Sequence, residues 1–280
     1  MKKVISASRR CDMVAFFPAR LASSFEQEQA RVLGPSGHIY SVNLRPDKVH
    51  TVVLWSKNFS NLIENNNNLL SIIQKYDQLY LHFTVTGLGG SFIEKAVPSP
   101  EMALKQLEPL LKITGSAERI SIRFDPVIYW REGGDIKTNL YCFEKLAPVI
   151  KSHNIKDVRF SFTQWYKKAQ RRAREKKFDY IDPVIEKKKE DACFLATIAE
   201  KWDLNLFACS QQFLAELEGI QPSSCINGFK LQELHPDKEP LSKRKDRTQR
   251  KECLCTESTD IGSYSYSCPH SCLYCYANPR

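Results

Sequence analysis

Long apolar runs are missing from this chain. No stretch approaches the roughly 20 uninterrupted apolar residues that a bilayer crossing requires, so no membrane partner is expected. The amino-terminal Met1-Lys-Lys-Val-Ile-Ser-Ala-Ser-Arg-Arg carries too short an apolar run for a secretion signal. The expectation is a soluble, cytoplasmic protein. No internal repeat is present, which sets aside repeat arrays, and low complexity is confined to the four asparagines at 65–68, read as a polar helix face or turn. No G-x-S-x-G hydrolase motif occurs, and His82 and His153 have no partner at metal spacing and read as core or surface residues.

What is present is enough for one large core: 280 residues, 42% of them apolar. The net charge of +9 favours polyanionic partners, nucleic acid or an anionic small molecule. Ten cysteines in a chain without an export signal point to metal rather than disulfides. Cys11, Cys142 and Cys193 are scattered, whereas Cys253, Cys255, Cys268, Cys272 and Cys275 crowd the last 28 residues.

Short, mostly continuous apolar runs at 4–8, 51–56, 79–86, 119–129, 158–163 and 205–210 predict parallel strands buried on both faces. Helical patterns at 59–75, 99–114, 140–153 and 183–202 fall between them. Alternation of this kind is α/β, and six strands suit a partial (β/α)6 barrel of the TIM type over residues 1–218. Residues 219–280 lose the periodicity and form a cysteine-rich segment packed on the barrel; 237–251 is expected to be a charged, solvated loop. Parallel barrels place their sites at the carboxyl ends of the strands. Thr84, Thr86, Gly87, Arg123, Asp125 and Ser161 are therefore candidate cofactor contacts, with Thr163, Ser210 and Gln211 at further strand ends. Strand capping is the competing reading, as is an Arg123–Asp125 ion pair.

Cys268-Pro-His-Ser-Cys272-Leu-Tyr-Cys275 is the strongest signal in the chain. Three thiolates at C-x3-C-x2-C can hold three irons of one [4Fe–4S] cube and leave the fourth iron without a protein ligand. A zinc site would require a fourth ligand, normally from a second C-x2-C pair, and His270 lies inside the motif. A second set, Cys209, Cys225, Cys253 and Cys255, could close an auxiliary [4Fe–4S] cluster or an all-cysteine zinc site; incidental cysteines are the alternative.

The motif and its continuation into Tyr276-Ala resemble the radical S-adenosylmethionine (SAM) signature, most closely the form in spore photoproduct lyase-type proteins. The whole chain resembles the domain of unknown function 1848 family, which carries such a cluster motif at its carboxyl end. The matching segments are Ile5-Ser-Ala-Ser-Arg-Arg-Cys-Asp12, Leu54-Trp-Ser-Lys-Asn58, His82-Phe-Thr-Val-Thr-Gly87, Ile122-Arg-Phe-Asp-Pro126, Ser161-Phe, Cys225-Ile-Asn-Gly228 and Asp260-Ile-Gly-Ser-Tyr264. In most radical SAM enzymes the motif instead follows the first barrel strand. The resemblance implies an enzyme in which SAM chelates the open iron and is cleaved reductively to a 5′-deoxyadenosyl radical that abstracts hydrogen from substrate. It also implies an electron donor such as flavodoxin or ferredoxin, and an adenine contact from the backbone of Tyr274. The substrate is left open, with nucleic acid or a nucleotide favoured.

Arg9, Arg10 and Asp12 could meet an anionic substrate or the SAM carboxylate, or pair with one another. Lys57 and Asn58 could contact cofactor or substrate. The basic run from Lys167 to Lys177, flanked by Trp165, Tyr166 and Phe178, reads as a nucleic-acid contact or as a solvated helix face. Two rivals to the enzyme reading are a non-catalytic zinc or iron–sulfur protein that binds nucleic acid, and an electron-transfer protein.

Overall fold

The computed structural model of the chain describes residues 1–34, 37–263 and 265–277. Its centre is an eight-stranded sheet: β1 (Lys3–Ala7), β2 (Val49–Ser56), β3 (Leu79–Thr84), β4 (Ile120–Val127), β5 (Asp157–Phe162), β6 (Asn205–Ala208), β7 (Ile220–Pro222) and β8 (Thr259–Asp260). The spatial order is β7-β6-β5-β4-β3-β2-β1-β8, and every ladder in it is parallel. The six strands expected from the sequence are all present and pair with their sequence neighbours. The sheet is open: β7 and β8 lie at opposite edges, and no closed barrel forms among the described residues.

The connections include α1 (Pro18–Glu26), α2 (Leu69–Ile73), α3 (Leu107–Thr114), α4 (Cys142–Ser152), α5 (Lys167–Glu175), α6 (Ile185–Lys201) and α7 (Gly228–Leu234). One face of the sheet is wholly apolar. Ile5, Leu54, Leu81, Phe83, Ile122, Phe124, Val158, Phe160 and Leu206 form a single core with Leu21 and Phe25 of α1, Leu110 of α3, Phe143 and Leu146 of α4, and Leu195 of α6. Each such side chain contributes about 1.5–3 kcal/mol when fully buried. The opposite face alternates with it along each strand and carries Ser6, Trp55, Tyr80, His82, Ser121, Arg123 and Arg159. Both faces are covered, so both halves of each alternation are buried. Burial on both faces gives β2 a nearly continuous apolar run, whereas β4 and β5 alternate apolar and polar residues.

The carboxyl-terminal segment covers the polar face. Ile226, Leu231, Leu241, Cys225 and Cys255 pack with Val4, Val53 and Tyr80 in a separate apolar cluster. His82 is fully buried there, stacked at 4.0 Å on Trp55, with Nε2 at 2.8 Å from the Cys225 carbonyl.

Three local expectations change. The helix expected over 59–75 is broken: Asn65, Asn67 and Asn68 all take positive φ (54°, 59° and 58°), a region asparagine tolerates better than most residues. What remains is a turn at Ser60–Ile63 and α2. The pattern at 99–114 splits into Pro100–Leu104 and α3. The strand expected to run to 129 leaves the sheet after Val127. Tyr129–Glu132 then forms a hairpin with Asp135–Thr138, turning at Gly133-Gly134, where both φ values are positive.

Candidate metal centre

The tail that carries the cysteines is fastened to the opposite end of the chain. β8 pairs with β1, placing Asp260 beside Ser6. The Asp260 carboxylate accepts hydrogen bonds from Ser6 Oγ (3.0 Å), Ser8 Oγ (2.8 Å), the Arg9 backbone N–H (2.9 Å) and the Gly262 N–H (2.9 Å). Gly262 is needed here because a Cβ would lie 1.8 Å from Ser8 Oγ. Tyr264, within the last family-like segment, lies outside the described residues.

Asp12 is the second fastener. Buried at the carboxyl end of β1, it accepts from Ser56 Oγ (2.8 Å), the Lys57 N–H (2.8 Å), the Ala15 N–H (3.0 Å) and His270 Nε2 (2.8 Å). The other ring nitrogen of His270 faces the Ala96 carbonyl at 3.0 Å, and Phe16 packs edge-on against the ring. Both nitrogens are thus engaged, and the one histidine inside the motif is not free to bind metal. Leu273 N–H donates to the Ile93 carbonyl at 3.1 Å, while Arg172 of α5 donates to the carbonyls of Leu273 and Cys275, each at 2.9 Å. The motif is therefore held over the carboxyl ends of β1, β2 and β3.

Within the loop, Ser271 N–H bonds back to the Cys268 carbonyl and Cys275 N–H to the Cys272 carbonyl. Cys268 and Cys272 are buried and Cys275 is half-buried. Burial pushes all three thiols up, Cys268 to about 11 and Cys272 well above the ordinary range. Lys57 and Arg172 oppose this at Cys275, and Lys57 at Cys272. Thiols in such a place stay protonated until a metal displaces the proton.

Tyr274 points inward between Cys272 and Cys275. Its hydroxyl donates to Glu94 Oε1, which also takes the Lys57 ammonium at 2.9 Å; that ammonium lies 5.7 Å from the Tyr274 ring centre. Glu94 is fully buried, and its Oε2 has no partner. A buried carboxylate oxygen left open is costly and suits a cationic group brought by a ligand.

The second cysteine set lies in one packed cluster. Cys209 and Cys225 sulfurs lie 3.7 Å apart, Cys255 contacts both Cys225 and Cys253, and Arg123 Nη1 donates to Cys225 Sγ at 2.9 Å. Arg123 Nη2 bonds Asp125, and Ser161 Oγ bonds the other Asp125 oxygen. Arg123, Asp125 and Ser161 thus form one chain of contacts on the polar face, next to the sulfurs. Arg123 also lies 5.2 Å from the Trp55 ring centre.

Other expected positions lie elsewhere. Thr84 sits beside Arg123 in the register. Thr86 caps a turn through the Leu88 N–H, and Gly87 (φ 80°) packs so closely on Cys142 that a Cβ would lie 2.4 Å from the Cys142 Cβ; both serve the turn after β3. Thr163 Oγ1 bonds the Val127 carbonyl, and Gln211 bonds the Phe162 backbone from both ends of its amide. Ser210 is buried with its hydroxyl unpartnered. Arg9 approaches Asp246 at 3.8 Å and Trp55 at 5.5 Å, and Arg10 bonds the Gly262 carbonyl. Asn58 Oδ1 accepts from Gln106 and Ser60. The basic run is largely α5, seated on Ala169 and Ala173 with most of its charges exposed. His153 bonds the Val149 carbonyl.

Sequence reasoning missed Glu94, Asp246 and the Asp260 anchor as individual residues. It also missed Asp77, His235 and Glu239, whose ligand atoms lie within 4.8 Å of one another. There the Lys2 ammonium already bridges both carboxylates at 2.7 Å.

These features define an α/β protein with a parallel sheet that gathers two cysteine groups at one face and one strand edge. The chain belongs to the family described as Domain of unknown function (DUF1848), which it matches over residues 4–277. No curated protein matches it. Among solved structures it is similar to one from work on inhibition of the pneumococcal virulence factor StrH and N-glycan recognition and hydrolysis. That likeness has 12% identity, covers 94% of this chain and 76% of the other, and has a TM-score of 0.30, a level that carries no argument about activity.

Proposed function

We propose that the protein is a radical SAM enzyme on a partial (β/α)6-type barrel, with the cluster loop supplied by its carboxyl-terminal tail. The observation that carries this reading is the place of β8. In radical SAM enzymes the motif follows the first barrel strand. Here the strand before the motif lies beside β1 and parallel to it. Counted from β8, the order is β8-β1-β2-β3-β4-β5-β6-β7, so the parallel sheet has the strand before the motif at one edge, which supports the reading.

The donor set fits. Cys268, Cys272 and Cys275 would hold the cluster, and His270 is withdrawn from ligation by Asp12 and Ala96. When bound, cluster and SAM supply reductive cleavage of a carbon–sulfur bond and a hydrogen-abstracting 5′-deoxyadenosyl radical. The chain's part is to place and enclose them. Lys57 and Arg172 offset thiolate charge, Glu94 Oε2 is open to a cationic ligand group, and Tyr274 closes the loop from within. The exposed cations of α5 stand on the rim and favour an anionic substrate, nucleic acid or nucleotide; flavodoxin or ferredoxin would be the reductant.

The test is anaerobic reconstitution with iron and sulfide, then dithionite and SAM. 5′-Deoxyadenosine should form, and Cys→Ala at 268, 272 or 275 should abolish it. A reconstituted protein that binds iron yet yields none would overturn the reading.

A further inference from the structure

Four sulfurs from three distant segments meet on the polar face of the sheet. Cys209 follows β6, Cys225 precedes α7, and Cys253 and Cys255 come from the charged loop before β8. The Cys209 and Cys225 sulfurs lie 3.7 Å apart, and Cys253 and Cys255 pack in the same cluster with them. A disulfide is excluded in this arrangement, since its sulfurs would lie about 2.05 Å apart. A single zinc ion at about 2.3 Å from each sulfur would bring all four within about 3.8 Å of one another. No three of these sulfurs reach even 4.8 Å mutual spacing. The Cys209–Cys225 pair alone matches zinc spacing; it is the span of the whole set, wider than one zinc ion holds, that favours a multi-iron core.

Two hydrogen-bond donors are aimed at the sulfurs. Arg123 aims Nη1 at the Cys225 sulfur at 2.9 Å, and the Ile226 N–H points at the Cys255 sulfur at 3.4 Å. Arg9 also acts on Cys225, Cys253 and Cys255. Hydrogen bonds to the sulfurs are the means by which a protein tunes such a centre. Arg9 also links the group to the tail: Tyr276, next to Cys275, donates from its hydroxyl to the Arg9 carbonyl at 2.8 Å.

We propose that Cys209, Cys225, Cys253 and Cys255 hold a second iron–sulfur cluster, saturated by protein thiolates, on the inner face of the sheet beside the SAM site. The proposal rests on the radical SAM reading for the identity of its neighbour, not for its own ligands.

The test uses full-length protein purified anaerobically. Wild type should carry about eight irons per chain, about four in each cluster, and reduced samples should show two EPR signals, only one of which changes when SAM is added. The triple variant Cys268→Ala/Cys272→Ala/Cys275→Ala should keep about half the iron and the SAM-insensitive signal. Cys253→Ser/Cys255→Ser should keep the SAM-sensitive signal and lose the other, with exposed Cys193→Ser as the unchanged control. Zinc in place of iron in the triple variant, no metal there, or a Cys209–Cys225 disulfide in wild type would each overturn the proposal. Two wild-type clusters of which neither responds to SAM would sustain it and overturn the enzyme reading. The wild-type spectra decide the matter even where a variant fails to fold.

Discussion

Asp12→Ala tests the idea that the tail is held from the amino terminus. The carboxylate has four protein donors, from Ser56, Lys57, Ala15 and His270. Ser56 Oγ also donates to the Asn58 carbonyl at 2.7 Å, so it keeps a partner without Asp12. Three donors then lose their acceptor. Hydrogen bonds to charged groups are worth about 1.5–3 kcal/mol each, and a plain sum would exceed what such sites yield, because the donors share one acceptor and relax together. Breaking a buried charged contact by removing one partner costs about 3–5 kcal/mol, which is the expected loss here. At about 2–4 °C per kcal/mol for chains approaching this size, Tm should fall by about 10 °C. His270→Ala should cost less globally, about 1–2 kcal/mol, while freeing the tail. Urea unfolding of the two single variants and the double variant gives the coupling between Asp12 and His270, expected at about 1–2 kcal/mol. Limited proteolysis should cleave the tail of His270→Ala ahead of the sheet. An Asp12→Ala protein within 0.5 kcal/mol of wild type, or a coupling near zero, would refute the fastening.

Lys57→Met should destabilise the protein by about 3–5 kcal/mol, read by thermal unfolding, because it leaves the fully buried Glu94 carboxylate without its ammonium. Lys57→Met with Glu94→Gln should recover most of that loss. In metal-free protein, burial holds Cys268 up at about 11, whereas an unfolded thiol ionises near about 8.5. The unfolded state therefore binds fewer protons above about pH 8.5, and stability should fall by about 3 kcal/mol as pH rises from there to about 11. Urea midpoints should trace the decline, and Cys268→Ala should make it shallower by that amount, the rest coming from the other raised thiols, Cys272 and Cys275 among them. Cys11, buried close enough to Cys268 for each thiolate to act on the other, is not a ligand in this reading. Cys11→Thr should keep full iron content and SAM cleavage, and loss of the cluster there would mean four protein ligands instead of three.

The central strands were legible as short apolar runs, continuous at Val52-Val53-Leu54 and alternating with polar residues at Ile120, Ile122 and Phe124. The Gly133-Gly134 turn carried a local signal that could have revealed its hairpin. The asparagine run looked helical by its flanks, yet three positive φ values break it. The triad is local, with all three cysteines within eight residues, so spacing alone exposed it. The fasteners are not local: Asp12 meets His270 across 258 positions and Ser6 meets Asp260 across 254. No periodicity records a contact of that range. Glu94 was invisible for the same reason, since its role depends on Lys57 and Tyr274 arriving from β2 and the tail.

β8 is two residues long and cannot by itself hold a loop against the entropy of a free tail, about 1–2 kcal/mol per ordered residue. The ties are aspartates. Asp260 binds the backbone and hydroxyls of the segment after β1, Asp246 meets Arg9, and Asp12 reaches from that same segment to His270. All three act on residues 6–12 or come from them, so the first strand and the last loop form one structural unit. The cysteine motif is therefore tied to the first strand, and the residues that tie it lie in Ile5-Ser-Ala-Ser-Arg-Arg-Cys-Asp12.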